Sequence, residues 1–279
     1  MKQTFWRRFC SNRGALIGLV ILTIVVLVAV FAGVLAPNDP WDMVQRPFLP
    51  PFIDPNLPLG SDVLGRDVYS GLIMGARVSL LIGVSAALAG LLIGITVGAL
   101  AGYFGGMVDT ALMKLTELFQ AIPHIVLAIV LVAIFHPSVV SIVVAISVVS
   151  WPSVARLVRG EFLSLKERDY VHASILAGQS RLQIIVFQIL PNAAGPIVVM
   201  GSLMVATAIL TESALSFLGL SDPNVMTWGY MIGAGKTALR TAWWAVALPG
   251  LAILLTVLAI NLVGEGLSDG LNTRIRVGG

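Results

Sequence analysis

Charge is what this sequence has least of. Asp, Glu, Lys and Arg make up 11% of its 279 residues and hydrophobic residues 57%, against roughly 25% and 45–50% in an ordinary soluble domain. A water-facing surface cannot be assembled from so few charges, so a soluble enzyme of this length is excluded. Mean hydropathy is +0.95. Cysteine is nearly missing too: Cys10 is the single one, it can form no internal disulfide, and in its basic N-terminal arm it reads as an inert thiol. The sequence also lacks H-E-x-x-H, G-x-S-x-G and any cysteine pair. His124, His136 and His172 are too scattered to gather a metal. Gly233-Ala234-Gly235-Lys236-Thr237 imitates the end of a phosphate-binding loop, but Tyr230 stands where its first glycine would be, and no strand precedes it. No catalytic, cofactor-binding or metal-binding residue is assigned to the chain.

What is there is a set of long apolar runs. Stretches free of Asp, Glu, Lys and Arg cover 14–38, 78–108, 118–155, 182–211 and 241–264. Their apolar residues do not alternate with polar ones, which excludes a transmembrane barrel and leaves helices as the spanning elements. The third run would be about 57 Å long as one helix, too long for a bilayer, so it turns back at Phe135-His136-Pro137-Ser138. Six spans are predicted, at 15–36, 79–102, 110–134, 139–157, 192–215 and 243–263. Six is even, so both termini share a side. With that side cytoplasmic, Lys2, Arg7, Arg8, Arg13, Lys114, Arg156, Arg159, Lys166, Arg168, Arg181, Arg274 and Arg276 lie inside, twelve of the seventeen basic residues. A net charge of +3 spread over helix ends fits this rule better than nucleic-acid binding. The first run, of about 22 residues, exceeds the 7–15 residues of a signal-peptide core, so it is read as an uncleaved span.

Gly90, Gly94, Gly98 and Gly102 recur every four residues on the second span and line one face, where another helix can approach closely, from this chain or from a second subunit. Segment 37–77 carries Pro37, Pro40, Pro47, Pro50, Pro51, Pro55 and Pro58, which forbid a continuous helix. It is either a solvated loop or an ordered cap near a pore mouth. Glu117 falls three residues after Lys114 on one face and reads as a snorkelling pair. Glu212, near the outer end of the fifth span and without an obvious local partner, is a candidate for lining a pathway or gate, because an ionisable group at that depth is costly. Between spans four and five, charges of alternating sign (Glu161, Lys166, Glu167, Arg168, Asp169, Arg181) surround Tyr170 to Gly178, and Leu182, Ile185, Val186 and Ile189 follow at helical spacing up to Leu190-Pro191. Two short amphipathic helices joined near Gly178 are predicted, either a docking surface for another protein or a plain solvated loop.

This loop resembles the EAA motif of ABC importer permeases: His172-Ala173-Ser174, then Gly178, Gln188 and Leu190-Pro191 keep its spacing, with departures at His172, Ser174 and Gln188. Pro58-Leu59-Gly60-Ser61-Asp62 with Gly65-Arg66-Asp67, Gly102 to Gly106 with Asp109, Leu215 to Leu220 with Trp228-Gly229, Pro249-Gly250 and Asn261 to Leu267 narrow the resemblance to the C-type permease of dipeptide, oligopeptide and nickel importers. Ser268-Asp269 and Asn272-Thr273 depart from that family's tail.

The resemblance implies an all-α integral membrane protein of the bacterial inner membrane, with a type I ABC importer permease fold and a cytoplasmic coupling helix. Its expected parts are a cytoplasmic arm (1–14), a first transmembrane helix (15–36), an extracytoplasmic segment (37–77), a five-helix core (78–267) with coupling loop 158–191, and a cytoplasmic tail (268–279). The implied partners are a second permease, two cytoplasmic ATP-binding subunits that bind the ATP, an external solute-binding protein, and the membrane lipid around the permeases. Glu167, Arg168, Asp169, His172, Ala173, Ser174, Gly178, Leu190 and Pro191 are the implied ATPase-coupling residues. The competing class is a secondary transporter driven by an ion gradient, which calls for inverted repeats and midplane charges that are hard to find here. The cargo, whether peptide, nickel complex, glutathione-like peptide or opine, stays open.

Overall fold

The computed structural model describes residues 5–271, all of them helix, turn or loop apart from three isolated β-bridges in the outer segment. Lys2, Arg274, Arg276 and residues 272–279 of the expected tail lie outside the described residues. A short α1 (Phe5–Ser11) leads to Asn12, whose side chain accepts from the Ala15 amide and starts α2 (Arg13–Val30); α3 (Ala32–Leu35) prolongs that span after a break at Phe31. Then come α4 (Val68–Phe104), α5 (Gly106–Gln120), α6 (His124–Phe135), α7 (Val139–Leu165), α8 (Asp169–Leu176) and α9 (Arg181–Gln183). A π-helical turn over Ile184–Ile189 joins α9 to α10 (Leu190–Phe217), and α11 (Trp228–Gly235) and α12 (Trp244–Leu271) complete the helices of the described residues.

The glycine stripe decides how the core is built. A Cβ on Gly90 would lie 2.7 Å from Ser150 Oγ, one on Gly94 2.8 Å from the Trp151 carbonyl, one on Gly98 2.8 Å from Val158 Cβ and one on Gly102 2.6 Å from Phe162 Cβ. The partner helix is therefore α7 of the same chain. Each step of four along α4 is matched by a step of about four along α7 in the same direction, so the two helices run parallel. The chain between them must then return across the whole membrane, and α5 with α6 makes that crossing. The other contacts are antiparallel: Gly83 and Gly90 meet Ile209 and Met204 of α10, while Gly18 and Gly266 bring α2 and α12 together. Six crossings follow, in the predicted order.

Several boundaries differ from those predicted; α12, for one, runs to Leu271, past the expected end of the last span at 263 and into the expected tail. The third span is not one helix over 110–134: it bends by 84° between Gln120 and His124, where Pro123 cannot donate a backbone bond. The α4 helix begins at Val68 inside the expected extracytoplasmic loop, because Asp67 caps it by accepting from the Tyr69 amide. The α7 helix runs to Leu165, so the cytoplasmic loop starts near Lys166 rather than 158. Pro191 does not mark a separate entrance to span five, since Arg181–Phe217 is continuous. The wider π turn ends at Ile189, two residues before Pro191, whose ring in an α-helix would meet the carbonyl four residues back.

Candidate functional site

The cytoplasmic element is exposed on one side and bolted down on the other. Val171 of α8 is 1% exposed and packs in one cluster with Ile184, Ile189, Val158 and Phe162, which ties the loop to α7 and α10. Leu176 at the tip of α8 is 89% exposed and Leu182 70%, while Glu167, Arg168, Asp169, His172, Ala173 and Gly178 are also exposed. Large apolar side chains held out on a polar element offer a surface on which another protein can pack.

Gly178 sits where the chain turns between the two helices. Its φ is +77°, a conformation that costs an L side chain about 1 kcal/mol or more. The Gly178 amide bonds to the Ile175 carbonyl and the Gln179 amide to the Ser174 carbonyl, the paired bonds that close a helix C-terminus on a left-handed residue. Two residues on, Ser180 and Gln183 form a reciprocal capping box that opens α9. The arginine at 181 lies over the Phe104 ring at 5.9 Å and pins the turn to the end of α4. The positions that depart from the EAA pattern have local tasks: Ser174 Oγ donates to the Tyr170 carbonyl at 2.9 Å, and Gln188 Nε2 donates to Gln179 Oε1 at 3.3 Å across the turn. Leu190 is half-buried and Pro191 exposed at the junction with α10.

Behind this element Arg159 of α7 donates through Nη2 to Asp109 Oδ2 of α5 at 2.6 Å, with Nε on the other carboxylate oxygen. This bidentate pair closes the cytoplasmic end of the bent α5–α6 span onto α7. Glu117 remains on α5 one turn below Lys114, and neither forms an ion pair among the described residues.

The outer segment is an ordered cap. Ser61, Arg66 and Asp67 are buried. Ser61 Oγ accepts from the Leu49 amide and donates to the Arg46 carbonyl, and Trp244 Nε1 donates to the Ser61 carbonyl at 3.0 Å, fastening the cap to α12. Arg66 donates to Asp62 at 2.7 Å and to the Tyr230 hydroxyl at 3.3 Å, and lies over the rings of Trp41 and Tyr230. Burial works against its charge, but Tyr230 and Asp62 outweigh it and hold the guanidinium above its ordinary range.

Glu212, expected to line a pathway, belongs to this cap. It is fully buried, and its Oε1 accepts from Thr227 Oγ1 at 2.7 Å and Ser216 Oγ at 2.8 Å, with Ser213 Oγ at 3.4 Å from Oε2. Thr227 in turn accepts from the Tyr230 amide as the N-cap of α11. The carboxylate thus locks α11 onto α10 and faces hydroxyls rather than open space.

Comparison with known proteins accords with this architecture. Residues 94–277 match the family described as the binding-protein-dependent transport system inner membrane component, and residues 1–51 match the N-terminal TM domain of oligopeptide transport permease C. The chain belongs to this permease family. Among curated relatives, the di/tripeptide transport system permease protein DppC of Pseudomonas aeruginosa is 42% identical, over 98% of this chain and 92% of its own length. The dipeptide transport system permease protein DppC of Haemophilus influenzae is 39% identical over 98% and 95%, and that of Escherichia coli K12 is 42% identical over 98% and 93%. The inward-facing MetNI methionine ABC transporter shares the fold with a TM-score of 0.60, at 18% identity over 72% of this chain and 96% of its own.

The permease is accordingly a multi-pass inner-membrane transport subunit of an ABC importer and not a catalytic enzyme, and the secondary-transporter class is set aside. Its family works with ATPase subunits and further partners. The Asp109–Arg159 pair and the Thr227 partner of Glu212 have no local sequence signal, because they join residues 50 and 15 positions apart. The capping box at Ser180 and Gln183, by contrast, is readable from a three-residue spacing.

Proposed function

We propose that this permease is the C-type half of a heterodimeric pore that imports dipeptides and short oligopeptides, served by a second permease, two ATP-binding subunits and an extracytoplasmic solute-binding protein. The named substrates of its relatives, dipeptides and di/tripeptides, support the cargo. The observation that carries the mechanism is the exposed α8 tip mounted on a buried anchor. The ATPase subunits bind and hydrolyse the ATP, and this chain needs no cofactor of its own.

In this reading an ATPase groove receives α8, with Leu176 and Leu182 supplying apolar contact and Glu167, Arg168, Asp169 and His172 setting orientation. Ala173 and Ser174 keep the exposed face of α8 small enough to seat closely. When ATP binding draws the two ATPases together, the displacement enters through Val171 and Ile184 into Phe162 and Val158. Because α4 and α7 touch backbone to backbone along their glycine face, they move as one body. The bend at Gln120–His124 and the π turn before Pro191 are where the attached spans can follow with small dihedral changes. The pore then alternates between inward-open and outward-open states.

Replacing Gly178 tests this directly. In proteoliposomes holding the complete importer, Gly178→Val is expected to assemble and hydrolyse ATP while peptide uptake falls at least tenfold. Wild-type uptake per ATP hydrolysed in that variant would remove the coupling role.

A further inference from the structure

Two cavities away from the cytoplasmic element meet at one side chain. The lower, about 600 Å³, lies between α2, α4, α10 and α12 and is walled by aliphatic residues such as Leu22, Val26, Leu80, Val84 and Ile260. The upper, about 220 Å³, lies under the outer segment and carries Asp39, Trp41 and Asn224. Arg77 lines both. It is exposed, and among the described residues no carboxylate lies within ion-pair reach of it.

Depth gives the arrangement its meaning. Residues 78–108 hold no charge, so Arg77 marks the outer edge of the hydrocarbon-spanning part of α4 and its guanidinium stands at headgroup level. The aliphatic cavity extends below it, from Arg77 to Val84 along α4, about 10 Å at 1.5 Å per residue. Water does not settle in a cavity with so few polar partners. A molecule that suits both spaces has an anionic group at its waist, an apolar chain on one side and a polar head on the other. Asp39 in the upper cavity repels a purely anionic head and attracts an ammonium.

We propose that this groove holds one glycerophospholipid of the outer leaflet with an amino headgroup, its phosphate on Arg77, its ammonium at Asp39 and an acyl chain between α2 and the core. A free zwitterionic peptide would satisfy Asp39 and Arg77 equally well, but it leaves the apolar cavity below the same guanidinium empty.

The test uses the assembled importer in nanodiscs containing equal phosphatidylethanolamine and phosphatidylglycerol, followed by delipidation and mass spectrometry of the intact complex. Wild type retains phosphatidylethanolamine over phosphatidylglycerol, at one molecule per copy of this chain. Retention falls at least fivefold in Arg77→Ala and in Val26→Trp, which fills the groove from the exposed side, and stays within twofold in the charge-keeping Arg77→Lys. In Asp39→Asn the lipid remains but the preference between headgroups disappears. Three results overturn the proposal: equal retention in wild type, Arg77→Ala and Val26→Trp; displacement of the retained lipid by millimolar free dipeptide; or efficient crosslinking of a cysteine at Val26 to the second permease, which makes the occupant protein.

Discussion

The outer cap and the cytoplasmic element are both connectors, and both carry sequence signatures, yet they use them in opposite ways. In the cap the signature residues face inward: Ser61, Arg66, Asp67, Thr227 and Glu212 are all buried, and among the described residues no buried side-chain nitrogen or oxygen is left without a hydrogen-bond partner. In the cytoplasmic element they face outward, with His172, Ala173, Leu176 and Gly178 exposed, while Val171, the π-turn isoleucines and Arg181 over Phe104 hold it down. Two glycines condense the difference. Gly65 and Gly178 have nearly the same φ, +83° and +77°, but a Cβ on Gly65 would overlap the Gln45 carbonyl oxygen, whereas one on Gly178 meets nothing within 4 Å. One signature preserves a packed structure; the other leaves open space beside its turn.

Substitutions can break or sharpen that contrast. The largest effect is expected from Gly65→Ala, where backbone strain and overlap with main chain act together and nothing flexible can yield. The cap should fail to close, seen as loss of folded, detergent-extractable permease; normal extraction would make the cap as tolerant as the cytoplasmic turn. Next is Glu212→Ala, which removes the acceptor for the buried Thr227 and Ser216 hydroxyls and should cost about 3 kcal/mol, read as a lowered melting temperature of the purified complex. Glu212→Gln keeps an acceptor for both hydroxyls and should recover most of that loss if the role is to lock α11. The smallest effect on stability is expected at Gly178→Ala, about 1 kcal/mol of left-handed strain and no steric overlap, so its melting curve should nearly match wild type.

Much of this was legible in the residues. Charge-free runs locate the crossings because apolar length is a direct requirement of the bilayer, and the glycine stripe identifies the closest helix contact because only a missing side chain permits it. The bend in the third span was not legible from proline alone. Pro152, Pro196 and Pro249 lie inside α7, α10 and α12 without ending them, while Pro123 lies in the break between α5 and α6, and packing between spans decides which outcome a proline has. The partners of Glu212 were legible only in part. Ser213 and Ser216 lie on its own helix within four residues, but Thr227 arrives from the loop after α10, and a buried carboxylate with hydroxyl donors looks the same in sequence as one in an open pathway. The turn at Gly178 was legible because every bond that makes it, from Ser174 to Gln183, is local.

The central claim is that the outward face of α8 and α9 is where an ATPase subunit seats. Its most direct measurement is the amount of ATPase that co-purifies with the permease pair when Leu176→Asp and Leu182→Asp are combined, both being exposed positions whose change leaves the buried anchor intact. The account predicts that the two permeases stay together while ATPase recovery falls at least tenfold. Full ATPase recovery with that double variant would contradict it.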